Sequence, residues 1–322
     1  MQRPPGDRNE PESRVITVIG SSNIDYVCFT ERIPGLGETV AGSSFLVAAG
    51  GKGANQAVAA ARLGARTVLL TKLGREDKYA GLLTDGFQAA GVDVSRVQFE
   101  PGSYCGCALI MVDRQARNII GIVPNANACI SIEYIEENRS LIEASRVLVV
   151  EFEVPLPTVE HAVALARKAG VTTLVNPAPA LALSDGFYGN VDVLVPNQTE
   201  AEALCGQGLS GPECLQQAAG YFHRRKAANL IITLGEKGAF VSDGRRTTVI
   251  PGLPVKTVDT TGAGDAFVGG LACALAEGRD VFSAAVFANA AAALSVTRPG
   301  AARSMPARAE VEELLRKGEA DG

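Results

Sequence analysis

Residues 259–265, Asp-Thr-Thr-Gly-Ala-Gly-Asp, combine two carboxylates, two hydroxyls and two glycines directly before an apolar stretch. The apolar residues recur with helical spacing, which places Gly262, Ala263 and Gly264 in the first turn of a helix. A helix start leaves about four N–H groups unpaired and carries roughly half a positive charge, so it stabilises a phosphate. Asp265 would lie beside that anion and could accept a proton from an attacking alcohol. An ordinary capped loop is the alternative for a segment this short.

A second glycine-rich helix start favours the anion site over the capped loop. Residues 50–56, Gly-Gly-Lys-Gly-Ala-Asn-Gln, precede an alanine-rich stretch over 57–65 and place Lys52 and Asn55 at its beginning. Together the two motifs resemble the signature motifs of the ribokinase (PfkB) family of carbohydrate kinases, and the resemblance covers roughly residues 15–315.

Polar residues follow the first predicted strand, residues 15–20, where parallel α/β sheets bind ligands. Asn23 and Asp25 alternate, so in an extended segment they would face one side and could bind neighbouring sugar hydroxyls; capping or turn formation is the alternative. Glu151 and Glu153 stand at another strand end, and a solvated strand end is the alternative for Glu151. The resemblance implies a substrate site made of Asn23, Asp25, Gly51, Lys52, Asn55, Glu153 and Asp265.

The resemblance also implies a nucleotide site. Asn197 and Glu200 resemble the family's N-x-x-E motif, which organises Mg²⁺, water and the nucleotide phosphates; a plain capping box is the alternative. Asn289 matches a nucleotide-side position, with a helix-surface position as its alternative. The residues implied to bind ATP are Asn197, Thr233, Leu234, Gly235, Glu236, Lys237, Gly238, Gly264 and Asn289.

Residues 295–304 resemble the loop in which the family coordinates a monovalent cation, largely through backbone carbonyls. Potassium suits oxygen ligands of this kind and, bound here, would stabilise the helix start without touching the substrate. For Ser304 the alternative is an N-cap of a helix opening at Pro306. The implied ligands are Asp259, Thr261, Ser295, Arg298, Gly300 and Ser304.

The remaining chain alternates strand and helix patterns, which predicts a mostly parallel central sheet with helices on both faces. Strands are predicted at 67–71, 147–152, 173–176, 191–195 and 230–234, and helices at 76–90, 133–144, 157–169, 212–227, 263–277 and 281–295. Insertions at about 24–49 and 103–124 read as hairpins that would form one small β-sheet. Residues 1–13 are predicted to be a flexible tail, and 14–322 a single α/β domain.

Composition excludes several other classes. The net charge of −5 and pI near 5.3 argue against a nucleic-acid partner. No apolar run reaches 18 residues, so no membrane span is expected, and residues 1–13 lack the apolar core of a signal peptide. Seven cysteines without a C-x-x-C pair indicate a reducing cytoplasm, and two histidines without metal-ligand spacing argue against zinc.

The resemblance implies an α/β enzyme of ribokinase-like fold that uses ATP, Mg²⁺ and K⁺ to phosphorylate D-ribose at its primary (5-) hydroxyl. The small sheet would be a lid over the sugar and would pack against a second subunit's lid in a homodimer. Residues 50–56 and 124–127 favour ribose, although Pro124-Asn125 departs from the family's Gly-Ala-Asn. The alternatives are a sibling kinase for deoxyribose, fructose, a ketohexonate, adenosine or pseudouridine, and a sugar-binding regulator without catalysis.

Overall fold

The computed structural model describes residues 15–115 and 117–320, so the predicted flexible tail over residues 1–13 lies outside the described residues. In the described part, the strands are β1 Ile16–Ile19, β2 Asn23–Thr30, β3 Gly42–Gly50, β4 Thr67–Leu70, β5 Lys72–Gly74, β6 Val92–Asp93, β7 Gln98–Glu100, β8 Gly106–Val112, β9 Asn118–Val123, β10 Val147–Glu151, β11 Thr172–Asn176, β12 Val193–Leu194, β13 Asn229–Thr233, β14 Ala239–Ser242 and β15 Thr247–Ile250.

Nine of these strands form the central sheet, in the order β15-β14-β13-β12-β11-β10-β1-β4-β6. All neighbours from β6 to β13 pair in parallel, and only β14 and β15 at the other edge are antiparallel. β1, β4 and β10 are buried along their whole length, because apolar β-branched and leucine residues suit a strand covered on both faces. The prediction of a mostly parallel sheet is confirmed.

Helices cover both faces of the central sheet, as predicted. They are α1 Lys52–Arg62, α2 Ala80–Ala89, α3 Ile132–Glu137, α4 Arg139–Ala144, α5 Leu156–Lys168, α6 Asp185–Tyr188, α7 Gln198–Cys205, α8 Pro212–Arg224, α9 Ala263–Ala276, α10 Val281–Ser295 and α11 Arg308–Ala320. Alternate side chains of β10 serve the two layers: Val147 and Val149 join the core with α1, α9 and α10, whereas Leu148 and Val150 join the core with α5 and α8.

Two helix predictions were wrong, and the helix predicted over 76–90 begins only at Ala80. The predicted helix over 133–144 is interrupted at Asn138, which ends α3 and begins α4 and whose side-chain amide donates to the Tyr134 carbonyl. The last helix begins at Arg308 rather than Pro306. Ser304 lies in a 3₁₀ turn, Ala302–Ser304, and donates to the Ala301 carbonyl, so it does not act as the N-cap of α11.

The two predicted hairpin insertions form one small sheet, in the order β3-β2-β8-β9. β2 pairs antiparallel with β3 and parallel with β8, and β8 and β9 form the second hairpin. The Asp113 carboxylate holds the turn of this hairpin by accepting the amides of Gln115 and Arg117. β9 is an edge strand and is exposed along its whole length.

In the described range, none of the helices combines the length and the apolar composition needed to cross a membrane.

Candidate active site

The carboxyl ends of four neighbouring central strands meet the starts of α1 and α9. Ser21 and Ser22 follow β1, Glu151 ends β10, Asn176 ends β11, and Asn197 follows β12. This edge of an open parallel sheet is where such folds bind ligands. A cavity of about 200 Å³ opens here. Its lining includes Lys52, Asn176, Asn197, Glu200, Thr233, Thr260, Gly262, Ala263, Gly264 and Asp265.

Asp265 lies in the first turn of α9 and is 8% exposed. Its two carboxylate oxygens accept from different amides of α1: Oδ2 from Asn55 Nδ2 at 3.0 Å and Oδ1 from Gln56 Nε2 at 3.1 Å. Burial raises the pKa of Asp265, and the charge of Lys52 and these two amides oppose that rise. The carboxylate is therefore buried, oriented and open to a ligand in the cavity.

The start of α9 keeps some of its amides free. Gly262 is the N-cap residue with a φ of +77°, a conformation that favours glycine, and no side chain caps this end. The Ala263 amide donates to the Thr260 carbonyl at 3.2 Å, so it is not among the free amides of this helix start. Within the described chain, the Gly262 and Gly264 amides have no acceptor, and they remain available to an anion.

Lys52 lines the same cavity, although the family resemblance placed it on the sugar. Burial lowers its pKa, but the nearby carboxylates of Asp265, Glu153, Glu151 and Glu200 outweigh burial and raise it. Among the described residues Lys52 forms no ion pair, so its charge has no fixed partner. A positive charge without an ion-pair partner, in a cavity that also contains free helix amides, suits a phosphate group.

Asn23 and Asp25 lie on one face of β2, as the sequence predicted. Burial, together with Glu153 and Asp265, raises the pKa of Asp25 to about 7. The Asp25 carboxylate packs on Gly50, where an added Cβ would stand 2.1 Å from Oδ2. Asn23 Oδ1 accepts from Asn127 Nδ2 at 2.8 Å, which directs the Asn23 amide group toward Glu153.

The two glutamates after β10 have different surroundings. Glu151 is fully buried, so the alternative of a solvated strand end was wrong. Its oxygens accept from the backbone amides of Ser21 and Glu153, and burial beside Glu153 raises its pKa. Glu153 is only half-buried and accepts from the Ser21 hydroxyl at 2.6 Å. Glu151 thus shapes the loop after β1, and Glu153 is the carboxylate that a ligand can reach.

Asn197 and Glu200 form a full capping box at the start of α7, which is the alternative that the sequence left open. Asn197 Oδ1 accepts from the Glu200 amide and Glu200 Oε2 from the Asn197 amide, both at 2.8 Å. The box uses one oxygen of the Glu200 carboxylate and holds the group in the cavity wall. A capping role and a place in a ligand site are therefore compatible.

The glycine-rich turn after β13 begins beside this box. The Thr233 amide donates to the Pro196 carbonyl at 3.0 Å, and a 3₁₀ turn over Gly235–Lys237 follows. Gly238 closes the turn by accepting from the Leu234 amide at 2.8 Å. Asn289 is buried and donates to the Pro251 carbonyl, so its alternative as a helix-surface residue was wrong.

The predicted cation loop is joined to the start of α9 through Asp259. One Asp259 oxygen accepts from the amide and hydroxyl of Thr261, and the other accepts from the Gly300 amide at 2.8 Å. Ser295 and Ser304 are fully buried and donate to nearby carbonyls, Ala292 and Ala301. Arg298 instead pairs with Glu310 of α11. Asp259, Thr261 and Gly300 thus meet, and the ion pair occupies only the side chain of Arg298, not its backbone carbonyl.

Three site residues received no role from the sequence: Gln56, Asn127 and Asn176. Gln56 stood inside the second motif and Asn176 at a predicted strand end, so a systematic search of strand ends would have found the latter. The hydrogen-bond partners of Gln56 lie 120 and 209 residues away in the chain, and Asn23, a partner of Asn127, lies 104 residues away. Local sequence patterns do not reveal such distant contacts.

A larger cavity, of about 470 Å³, lies at the opposite ends of the strands, beside Thr172 and Asn229. Its charged walls pair among themselves, as Arg167 does with Asp192. It contains none of the groups described above.

Comparison with known proteins gives a consistent result. The profile of the family described as pfkB family carbohydrate kinase matches residues 13–308. A protein of Haemophilus influenzae named ribokinase is 39% identical over 302 residues, which cover 94% of this chain and 98% of that protein. A Salmonella typhi protein named deoxyribokinase is 37% identical over 301 residues, covering 93% and 98%. The solved structure of Arabidopsis thaliana ribokinase complexed with ribose and ATP superposes with a TM-score of 0.87 at 30% identity, covering 94% of this chain and 98% of that one.

Proposed function

Because this chain belongs to the pfkB family of carbohydrate kinases, we propose that it transfers phosphate from ATP to the 5-hydroxyl of D-ribose. The observation that carries the proposal is the position of the Asp265 carboxylate, held by two amides beside free helix amides and Lys52 in one cavity. The relatives named ribokinase, and the neighbour bound to ribose and ATP, support ribose as the acceptor.

The sugar would be held by side chains on the β2 side of the site. Asn23, Asp25 and Glu153 offer amide and carboxylate groups to the sugar. Amide and carboxylate groups pair with several hydroxyls at once, which is a reason for the site to prefer a polyol. In this arrangement the primary hydroxyl faces Asp265.

Asp265 would accept the proton of the attacking hydroxyl. Phosphoryl transfer has a loose transition state, so the proton moves late and most of the rate enhancement comes from positioning and electrostatics. The Gly262 and Gly264 amides and Lys52 would stabilise the charge on the transferring phosphoryl group. Lys52 therefore acts on phosphate in this proposal, which revises the expectation that it binds the sugar.

The adenine nucleotide would lie along the turn of residues 233–238, with Thr233 in the cavity wall. Mg²⁺ fits beside it, because Glu200 has a second carboxylate oxygen outside the capping box and Asn197 stands next to it. Bound Mg²⁺ neutralises phosphate charge. In the described residues no three His, Cys, Asp or Glu side chains cluster closely enough to hold a metal ion, so the ion would be held through water and the phosphates.

A potassium ion fits the segment that Asp259 holds together. The Asp259 carboxylate makes this place next to the start of α9 electronegative. A bound monovalent cation supplies fixed positive charge. It would be held by Asp259, Thr261 and Gly300, while Ser295 and Ser304 would shape the loop. In this way the loop would keep the turn at Gly262 in place.

2-Deoxyribose is the second candidate acceptor, because a deoxyribokinase is 37% identical to this chain over nearly its full length. The two sugars differ by one hydroxyl. A site that hydrogen-bonds that hydroxyl with buried groups rejects the analogue strongly. Activity with both sugars at similar efficiency would indicate that the 2-hydroxyl is not bound by a buried group.

We also propose a homodimer formed through the small sheet. Leu109 of β8 and Ile119, Ile120 and Ile122 of β9 are each about half exposed, and β9 is an open edge. Exposed apolar side chains at a sheet edge favour association with another subunit. A cytoplasmic location is proposed as well, since the seven cysteines are free thiols.

The experiment that tests the function is ADP release with Mg-ATP and each of six acceptors: D-ribose, 2-deoxyribose, fructose, a ketohexonate, adenosine and pseudouridine. Each is measured with potassium and with a bulky organic cation. Potassium-dependent turnover that is highest on ribose is expected. Turnover on another acceptor would keep the kinase and replace the substrate, whereas sugar binding without ADP release on any acceptor would indicate a regulator.

A further inference from the structure

Three hydrogen bonds made by side-chain amides lead from Val195, directly after β12, to the Asp265 carboxylate. Asn176 Nδ2 donates to the Val195 carbonyl at 2.9 Å, and Asn176 Oδ1 accepts from Gln56 Nε2 at 3.0 Å. Gln56 Nε2 also donates to Asp265 Oδ1 at 3.1 Å. Gln56 is fully buried and Asn176 is 9% exposed, so bulk water competes little for these bonds.

The direction of this chain follows from its first member. A backbone carbonyl can only accept, so Asn176 must turn its NH₂ group toward Val195 and its oxygen toward Gln56. Gln56 must then present its NH₂ group, and its two N–H bonds are directed to Asn176 and Asp265. Asp265 Oδ1 therefore faces a donor whose orientation is set by the backbone carbonyl of Val195, directly after β12.

The second carboxylate oxygen of Asp265 also accepts a hydrogen bond from a side-chain amide, because Oδ2 accepts from Asn55 Nδ2. Two donors on a buried carboxylate favour its charged form, which is the form that a general base needs. We propose that Gln56, held by Asn176, is a positioning residue that keeps the Asp265 carboxylate ionised and aimed at the acceptor hydroxyl. The kinetic consequences of this inference rest on the proposed function, but the hydrogen-bond chain does not.

The other charged groups around Asp265 come from four elements. Lys52 of α1 favours the charged carboxylate, while Asp25 of β2, Glu153 after β10 and Glu200 of α7 oppose it. These groups are the same in wild type and in a Gln56 variant. A change in the titration of Asp265 between the two proteins therefore reports on Gln56.

The first test replaces Gln56 with methionine, which has similar length but no N–H donor. With ribose and Mg-ATP, kcat should fall roughly tenfold or more, and the acidic limb of its pH profile should move upward by about one pH unit, the usual effect of losing a hydrogen bond to a charged group. The KM values for ribose and ATP should stay within about threefold of wild type, because Gln56 acts through Asp265 rather than on either ligand.

A second measurement does not depend on turnover. The Asp265 carboxyl carbon is followed by ¹³C NMR across pH in wild type and in Gln56→Met, with its signal assigned by its loss in Asp265→Asn. The pKa of Asp265 should be about one unit higher in Gln56→Met. An unchanged pKa would overturn the inference even if the protein phosphorylated none of the acceptors, and absent turnover with a shifted pKa would overturn only the proposed function.

Asn176→Ala and the double variant complete the test. Asn176→Ala should raise the pKa of Asp265 by less than Gln56→Met does. The double variant should show the same pKa as Gln56→Met, because Asn176 acts only through Gln56. Additive pKa shifts of the two single variants would contradict the proposed chain of hydrogen bonds. If Gln56→Met does not fold, Asn176→Ala still tests the inference, because an unchanged pKa of Asp265 in that variant would refute it. Val58→Ala, a buried change on α1, is the control: it should lower stability without moving the pH profile.

Discussion

Replacing Asp265 with alanine removes the carboxylate that receives the hydroxyl proton in the proposed reaction. General base catalysis is worth about 10² to 10⁴ in rate, so kcat should fall by at least ~10². Ribose affinity should stay nearly intact, because Asn23, Asp25 and Glu153 still face the sugar. The loss should therefore appear in kcat, with little change in the dissociation constant of ribose.

The same substitution has a cost in stability that the structure lets us bound. Asn55 and Gln56 each lose the carboxylate oxygen that accepts from them, and a buried unpaired donor costs about 1–3 kcal/mol. The two together would lower the free energy of unfolding by about 2–6 kcal/mol. Loss of repulsion between Asp265 and the carboxylates of Asp25 and Glu153 offsets part of this.

Three measurements separate these effects. Steady-state ADP release gives kcat, calorimetric titration gives ribose affinity, and urea unfolding gives stability. Asp85→Ala, an exposed aspartate of α2, is the control and should leave all three unchanged. If Asp265→Ala turned over ribose at the wild-type rate while folded, Asp265 would have no part in the mechanism.

Three further predictions follow from the same geometry. Gly50→Ala places a Cβ 2.1 Å from Asp25 Oδ2, which should turn the carboxylate and raise the KM for ribose about tenfold, with little change in the KM for ATP. The control is Gly81→Ala, where a Cβ meets nothing within 4 Å, and a ribose KM equal to that of wild type in Gly50→Ala would refute the role of Asp25. The contribution of Asp25 to stability should fall as pH rises from about 4 to 7, because folded Asp25, with its pKa raised from 3.8 to about 7, keeps a proton that the unfolded chain has lost. In urea unfolding, the stability of wild type relative to Asp25→Asn should therefore fall over this range, and a constant difference would contradict this. Light scattering should find a dimer for the wild-type protein. Either Leu109→Asp or Ile120→Asp, which lie on opposite faces of the small sheet, should convert the dimer to a monomer, and a monomeric wild-type protein would exclude the proposed interface.

The features that were predictable from sequence are those with a local pattern. Alternation and apolar runs indicated the central sheet, and the glycine-rich segments at 50–56 and 259–265 indicated the two helix starts that meet at the site. The antiparallel edge of β14 and β15 was missed, because its strands are short and follow a turn that fits many structures.

Long-range contacts account for the remaining differences. A solvated strand end was the alternative for Glu151, yet Glu151 is fully buried, accepts from two backbone amides and packs against Gly20. Gln56 looked like part of a helix start, and only the tertiary fold brings it to Asp265 and Asn176. The Ala263 amide is used by a turn with Thr260, which depends on the conformation of Gly262. Each of these facts depends on partners that sequence spacing does not reveal.

The most direct test of the central claim is the structure of the product. Ribose labelled with ¹³C at C5 is incubated with the protein, Mg-ATP and potassium, and the product is examined by ¹³C and ³¹P NMR. Coupling of phosphorus to the labelled carbon, which identifies ribose 5-phosphate, is the predicted result, and it should be absent with Asp265→Ala over the same time. Phosphate on another carbon, or ADP formed without a phosphorylated sugar, would contradict a site in which Asp265 activates the primary hydroxyl.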